Sequence, residues 1–584
     1  MIKYSCNECK TEWDSELDSP SAQCPSCGKQ ASKKSVKLFW CKRCNTPTFD
    51  EQCPICGEKA KYFAADARPV FPEERLLIEL CMGEPMKYAR DNVWFTSASK
   101  YYVNGEKLDF EYRRYFDIDI EGLRRGLAEY GAQNGYESFN KYRELFVQAN
   151  ASRFNNIVSE AHSYIEEMAK GYDAGSMFIS FSGGKDSTVT ADLVVKALSN
   201  PHIIHLFGDT TLELPYTMEY VKRYKSSTKR PVLSARNDEQ QFMNLCKIVG
   251  PPSQHLRWCC TVFKTGAIGR KIQSIFRTQN DIRTFYGIRR SESNSRSEYE
   301  RDSQSPKISK QKVSSPIIDW LDYDIWLYIL TTGIDFNEAY RLGYSRVGCW
   351  CCPNNNRWSQ VLAAVYIPDE YKKFRAMLLA FAKDIGKSDP EEYVDNGGWK
   401  ARNGGEGIEL SKNAVVEFKQ CATDEKSFDY ELSRPISEEL YELFKPFGIL
   451  SHEMGNARLG EVYVLDRKDR MPIFKLQGRI GTRKLRITII RTPICGRKRI
   501  AEIESKFKCQ LTKYQICVGC HACQNVCKHD AIRLSKKGES DSEYSYKINE
   551  EKCVGCYKCV DHYGGGCYMK RALTPRGKGY NGKA

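Results

Sequence analysis

The sequence predicts a multi-domain protein whose centre is an α/β, doubly wound parallel sheet, with cysteine-rich metal-binding modules at both ends. Three observations carry that expectation. Residues 151–390 alternate apolar strand-like runs with helical ones, as a parallel sheet with crossover helices requires. Most of the 26 cysteines fall in C-x2-C pairs, and the 584 residues are too many for one hydrophobic core.

Composition narrows the class. Apolar residues make up 41% and charged residues 28%, ordinary values for a globular protein. No run of about 18 apolar residues occurs, so no membrane span is expected. The opening MIKYSCNECK has no apolar stretch of the kind a secretory signal needs. Paired thiols without an export signal point to metal ligation in a reducing compartment, the cytoplasm, rather than to disulfides. The net charge of +15 suits a polyanionic partner, nucleic acid or nucleotide, although an unspecialised basic surface fits it equally.

The chain reads as six segments. Residues 1–62 carry two four-cysteine units, Cys6, Cys9, Cys24 and Cys27, then Cys41, Cys44, Cys53 and Cys56. Four thiolates with no open position describe a structural zinc ribbon, with a rubredoxin-like iron site as the alternative. So few apolar side chains need a metal to fold. Residues 63–150 read as a small mixed α+β domain suited to presenting nucleic acid. It has a helix at Phe71–Leu80 and strands at Val93–Phe95, Tyr101–Val103 and Lys107–Phe110, with a hairpin turn at Asn104-Gly105. Residues 151–390 form the parallel-sheet domain. Residues 391–510 are an α+β segment with a strand pair at Glu461–Leu465 and Leu485–Ile490. Residues 511–570 are a compact cysteine module, and 571–584 a basic, disordered tail.

Within the central domain, an apolar strand at Met177–Phe181 leads into Ser182-Gly183-Gly184-Lys185-Asp186-Ser187 and then a helix. Two glycines let the backbone close on an anion, and the helix dipole favours negative charge there. Lys185 adds a cation, and Ser182 and Ser187 add hydroxyls. The spacing is not that of a Walker A loop. Asp209, past a second strand at His202–Phe207, is placed to hold ribose or Mg²⁺.

SGGKDS resembles the PP-loop of ATP pyrophosphatases. Three further stretches extend the resemblance to the phosphoadenosine phosphosulfate reductase family: Gly208–Pro215, with Thr211 where glycine is usual; Gly287–Ser293 with Arg296; and Pro316–Trp326. The resemblance implies an adenine nucleotide alpha hydrolase-like fold. The implied nucleotide site comprises Ser182, Gly183, Gly184, Lys185, Asp186, Ser187, Asp209, Arg289, Arg290 and Arg296. Lys185, Asp186, Asp209 and Arg289 are the expected catalytic groups, and ATP with Mg²⁺ the expected ligand.

Cys259-Cys260 and Cys349-x2-Cys352 are similar to the cluster motif of assimilatory adenylylsulfate reductases and DNA phosphorothioation enzymes. The resemblance implies a 4Fe-4S cluster, with zinc as the alternative, and Cys351 as a spare thiol that could replace a ligand or act chemically. Cys517-x2-Cys520-x2-Cys523-x3-Cys527, followed by Cys553, Cys556, Cys559 and Cys567, resembles a ferredoxin-like module with two 4Fe-4S clusters. By the rule that the fourth ligand crosses over, Cys517, Cys520, Cys523 and Cys567 hold one cluster. Cys553, Cys556, Cys559 and Cys527 hold the other. Lys528 replaces the usual proline.

The expected activity is ATP-dependent adenylylation of a target with pyrophosphate release, followed by sulfur transfer, with tRNA or DNA as the acceptor. Sulfur-donor and electron-donor proteins would be partners. The alternative is a sulfonucleotide reductase, an oxidoreductase forming sulfite with electrons from the ferredoxin module. That enzyme's catalytic cysteine motif, ECGLH-like, is missing, and the loop is complete, so the transferase reading leads. A non-catalytic nucleic-acid-binding redox protein is the third reading.

Overall fold

The computed structural model describes residues 2–574, except 7, 10, 16–22, 30–31, 34–35, 132–134, 280, 294–295, 306–309, 406–407, 414–415 and 539–542. Of the tail expected at 571–584, the residues from 575 on lie outside those described, and Tyr568–Leu573 is a helix. No described helix is long and apolar enough to cross a membrane.

Two compact units make up the chain: 1–165 with 287–299 and 316–346, and 166–286 with 300–315 and 347–584. Segments 287–299 and 316–346, read from sequence as part of the central domain, therefore group with the N-terminal part. The helix Asp322–Thr332 gives the reason. Its Tyr323 and Leu327 are buried in a core with Leu38, Trp40, Trp94 and Phe146, and Trp326 meets Phe71 edge-on at 5.2 Å. Burial of such large aromatic surfaces outweighs sequence proximity to the sheet.

In the first unit, Ala67–Pro69, Val93–Thr96, Tyr101–Val103 and Glu106–Lys107 form an antiparallel sheet. Asn104 and Gly105 turn the hairpin with φ of 51° and 82°. A Cβ on Gly105 would lie 2.5 Å from the Trp40 ring, so only glycine fits. The strand predicted at Lys107–Phe110 ends at Lys107, because Phe110 turns inward to stack on Tyr115 at 4.9 Å. The predicted helix at 71–80 runs from Pro72 to Cys81, starting on proline as a first helical turn allows.

The second unit is built on six strands: β1 (Met177–Phe181), β2 (Ile204–Asp209), β3 (Val232–Arg236), β4 (Ile282–Tyr286), β5 (Asp302–Gln304) and β6 (Gln311–Ser314). Their order is β3-β2-β1-β4-β6-β5, parallel except for the edge strand β5. This is the doubly wound sheet that strand–helix alternation predicts. The chain leaves β1 for β2 on one side, and β4 pairs with β1 on the other, so the carboxyl end of β1 is the topological switch point. Helix α1 (Lys185–Ala197) follows β1, and α2 (Pro215–Thr228) follows β2. Asp209 is the last residue of β2 rather than lying past its end.

His205 of β2 is fully buried, with Nδ1 2.9 Å from the Ile203 carbonyl oxygen and Nε2 3.2 Å from the Tyr224 hydroxyl. Burial pushes its pKa down to about 4. Between the unfolded value near 6.5 and 4, the unfolded chain binds the extra proton, so stability is lost as pH falls through that window. Denaturant midpoints at pH 7.5 and pH 5 should therefore differ less for His205→Gln than for the wild-type chain.

Residues 417–489 form a six-stranded antiparallel sheet. Its strands Glu461–Leu465 and Lys484–Ile489, expected to pair with each other, each pair instead with Pro472–Gln477 between them. A strand opening on proline after a charged turn hides its alternation. The helix Ile500–Ile516 crosses the boundary placed at 510, and its Phe507 and Leu511 share one core with Phe474 of the sheet and Tyr546 of the cysteine module.

Candidate nucleotide and cluster site

The loop Ser182–Ser187 lies at the switch point. Gly183 has φ +71°, and a Cβ there would stand 2.9 Å from Thr217 Cγ2 and 3.1 Å from Val221 Cγ2 of α2. Gly184 is the extended N-cap of α1 and, lacking a side chain, presents backbone at the helix start, its amide donating to Ser182 Oγ (3.4 Å). The Ser182 amide donates to Ser187 Oγ (3.1 Å), which donates to the Gly184 carbonyl (2.8 Å). The two serines thus brace the loop. Lys185 is 3% exposed, its Nζ 3.2 Å from Asp186 Oδ2. Gly183→Ala is expected to destabilise this unit by about 1–2 kcal/mol and to weaken nucleotide binding, read by a denaturation midpoint and a binding isotherm.

Asp209 is buried, accepts from the Thr211 amide (2.9 Å) and lies 3.8 Å from Arg236. Thr211 has φ +63°, which accounts physically for the glycine usual at that place. The turn after Asp209 reaches the cysteines directly. Glu213 forms a β-bridge with Cys349, the Trp350 amide donates to the Leu212 carbonyl (3.0 Å), and Thr210 Oγ1 lies 3.3 Å from Cys349 Sγ. Burial pushes the Cys349 thiol up to about 12 and raises the Glu213 carboxyl above its ordinary value. Cys259 lies beside Cys260 and within electrostatic reach of Cys349. Cys352 lies within electrostatic reach of the half-buried Lys400. Cys351 is buried in the apolar core with Trp258 and Phe374, and that burial raises its thiol well above the ordinary range.

The three predicted arginines belong to the first unit, where each meets a carboxylate. Arg289 is buried with Nη2 2.9 Å from Asp322; Arg290 pairs with Asp319, and Arg296 with Glu292. The family resemblance makes Arg289, Arg290 and Arg296 donors to phosphate or sulfate oxygens. The carboxylates that neutralise them are distant in sequence for Asp319 and Asp322.

The C-terminal cysteines gather in two sets. Cys520 shares a sulfur hydrogen bond with Cys567, and Cys517 and Cys523 lie within electrostatic reach of Cys567. That bond from Cys520 is the main reason the Cys567 thiol sits low, at about 7. Cys527, Cys553, Cys556 and Cys559 line one cavity, with Cys556 exposed. The first set packs on the central domain. Gln240 Nε2 donates to the Val518 carbonyl (2.7 Å), Asn525 Nδ2 donates to the Thr265 carbonyl (3.1 Å), and a Cβ on Gly266 would meet the Cys520 carbonyl oxygen at 2.9 Å. The stretch Cys260–Thr265 is the helical turn that begins at the cysteine pair.

In the N-terminal tetrads, Cys6, Cys9, Cys24 and Cys27, and Cys41, Cys44, Cys53 and Cys56, the sulfurs all lie within 4.8 Å of one another. Gly28 and Gly57 have φ of +70° and +74°, letting the CPxCG turns wrap. One tetrahedral ion needs its sulfurs at about 2.3 Å, hence about 4 Å apart, so each tetrad fits a single metal. Among the described residues, these two tetrads are the cysteine sets gathered so tightly.

A doubly wound sheet with a glycine loop at its switch point, in a chain that also carries cysteine sets of cluster spacing, defines an α/β protein with cysteine-rich modules. Residues 176–355 match the phosphoadenosine phosphosulfate reductase domain, and residues 516–562 the 4Fe-4S dicluster domain. The chain therefore contains a domain of each family. An uncharacterized protein of Methanocaldococcus jannaschii is 28% identical over 287 residues, 49% of this chain and 57% of that protein. A second from the same organism is 29% identical over 262 residues, 44% of this chain and 60% of its own. The chain thus spans under two thirds of either relative. An adenosine 5'-phosphosulfate reductase of Shouchella clausii is 26% identical over 178 residues, 29% of this chain and 68% of that enzyme. A phosphoadenylyl-sulfate reductase structure from Candida auris aligns at 14% identity over 34% of this chain and 95% of that one, with a TM-score of 0.27.

Sequence reading missed Thr210 and Glu213, which tie the turn after Asp209 to Cys349, and Lys513 in the cysteine module. Thr210 and Glu213 lie within Gly208–Pro215, but nothing local in the sequence shows that they meet Cys349. Lys513 stands among the buried positions of an otherwise unremarkable helix.

Proposed function

We propose that the chain binds ATP at Ser182–Ser187 and uses it to adenylylate an acceptor. An acceptor oxygen attacks the α-phosphate, the bond to the β-phosphate breaks, and pyrophosphate leaves. A sulfur nucleophile from a donor protein then displaces AMP. The observation that carries this reading is the complete loop: left-handed Gly183, Gly184 as the helix cap and buried Lys185 at the start of α1. Lys185 and the helix start would hold the β- and γ-phosphates, with Asp186 and Asp209 holding Mg²⁺. Arg289, Arg290 and Arg296 are proposed as phosphate or sulfate partners on the strength of their motif. Cys259, Cys260, Cys349 and Cys352 would hold a 4Fe-4S cluster, which supplies electron or sulfur chemistry when bound. The N-terminal tetrads would hold zinc, and with the net charge of +15 they favour a nucleic-acid acceptor, tRNA or DNA, in the cytoplasm.

A second reading is favoured by one observation, the approach of Cys349 to the turn after Asp209. There the chain would reduce adenylylsulfate: two electrons from the dicluster domain cleave the bond between sulfur and the phosphate oxygen, giving AMP and sulfite. Anaerobic incubation separates the two. Pyrophosphate from Mg²⁺–ATP supports the first; sulfite from adenylylsulfate with a reduced-dye donor, and no pyrophosphate from ATP, replaces it with the second. Inactivity in both assays with retained nucleic-acid binding would leave a non-catalytic redox protein.

A further inference from the structure

Lys513 is 2% exposed on the helix Ile500–Ile516, four residues before the first cluster cysteine. Its Nζ lies 3.3 Å from Cys523 Sγ and 4.0 Å from the centre of the Tyr546 ring, with the Tyr563 ring at 5.8 Å. Cys517, Cys559 and Cys567 also feel its charge. Cys517 and Cys523 belong to one cysteine set and Cys559 to the other, so the ammonium touches the first set and its charge reaches the second. Among the described residues no carboxylate pairs with it.

A cation this deep without a carboxylate demands another anion, because burying an uncompensated charge is severely unfavourable. Eight thiolates around two iron–sulfur cores are net negative, and they are the anionic groups this site provides. The lysine thus fits the clusters that the dicluster domain implies, and aromatic faces complete its enclosure.

We propose that Lys513 is an internal counter-cation shared by the two cluster sites, and that it raises the reduction potential of the cluster held by Cys517, Cys520, Cys523 and Cys567. Adding one electron, from a low-potential one-electron donor, makes that site more negative by one charge. A fixed positive charge at hydrogen-bond distance from Cys523 stabilises the reduced form more than the oxidised form, and the low dielectric magnifies the difference. The charge-assisted hydrogen bond from Nζ to the sulfur acts in the same direction. The placement gives the effect a use. This set packs on the segment beginning at Cys260, whereas the other set opens to solvent at Cys556. An electron entering at the exposed set is thereby drawn inward, toward the central domain. The proposal rests on the dicluster domain and not on the choice between ATP and adenylylsulfate.

The test is a dithionite redox titration of the anaerobic full chain, followed by electron paramagnetic resonance, for wild type, Lys513→Met, Lys513→Gln and Lys513→Arg. Lys506→Met, a half-buried lysine of the same helix paired with Asp561, is the control. The neutral variants should show a more negative midpoint for at least one C-terminal cluster, with Lys513→Arg and Lys506→Met near wild type. Neutral variants that lose C-terminal iron while Lys513→Arg keeps it would equally support a counter-cation. Unchanged midpoints in the neutral variants, or loss of iron in Lys513→Arg as well, would overturn the proposal and leave the residue a packing role.

Discussion

Lys185→Ala is expected to lower pyrophosphate release from Mg²⁺–ATP by about 10²–10³-fold, the range for removing one preorganised donor to a developing charge. The side chain is 3% exposed and its Nζ lies 3.2 Å from Asp186, so it is positioned before any ligand arrives. Removing it deletes a cation from a site where water cannot replace it well. The fold should tolerate the change, since alanine is a good helix residue at the start of α1. Steady-state pyrophosphate assays beside a circular dichroism melt separate lost chemistry from lost folding. An unaltered rate would remove the loop from the mechanism.

Cys260→Ala is the second large effect. The chain should drop from about twelve iron atoms to about eight, with four irons per cluster, while the two tetrads keep their zinc. Turnover with either nucleotide should fall below detection, because the cysteine pair begins the segment on which the first C-terminal set packs. Iron, sulfide and zinc analysis of anaerobically purified protein reads the first part, and the two product assays read the second. Retention of all the iron would exclude Cys260 as a ligand.

Much of this was legible in the sequence for a physical reason: short-range chemistry leaves local patterns. C-x2-C spacing, the glycine pair before a helix and the apolar runs of β1 and β2 each work through neighbours in sequence. What stayed hidden depends on long-range packing. The transfer of 316–346 to the first unit rests on Tyr323 and Trp326 finding aromatic partners hundreds of residues away. The pairing of Arg289 with Asp322, and the strand Pro472–Gln477 inserted between two predicted strands, leave no local signal. Lys513 is the same case. A lysine on a helix reads as solvent-facing until the fold encloses it.

The central claim is that nucleotide and cluster chemistry meet at the edge of β2, through Asp209, Thr210 and Cys349. Electron paramagnetic resonance of the reduced chain, with and without saturating Mg²⁺–ATP or adenylylsulfate, tests it most directly. One of the two nucleotides should shift the signal assigned to the Cys259, Cys260, Cys349 and Cys352 cluster and leave the C-terminal signals in place, and Lys185→Ala should abolish the shift. Tight binding of both nucleotides with every iron–sulfur signal unmoved would contradict it.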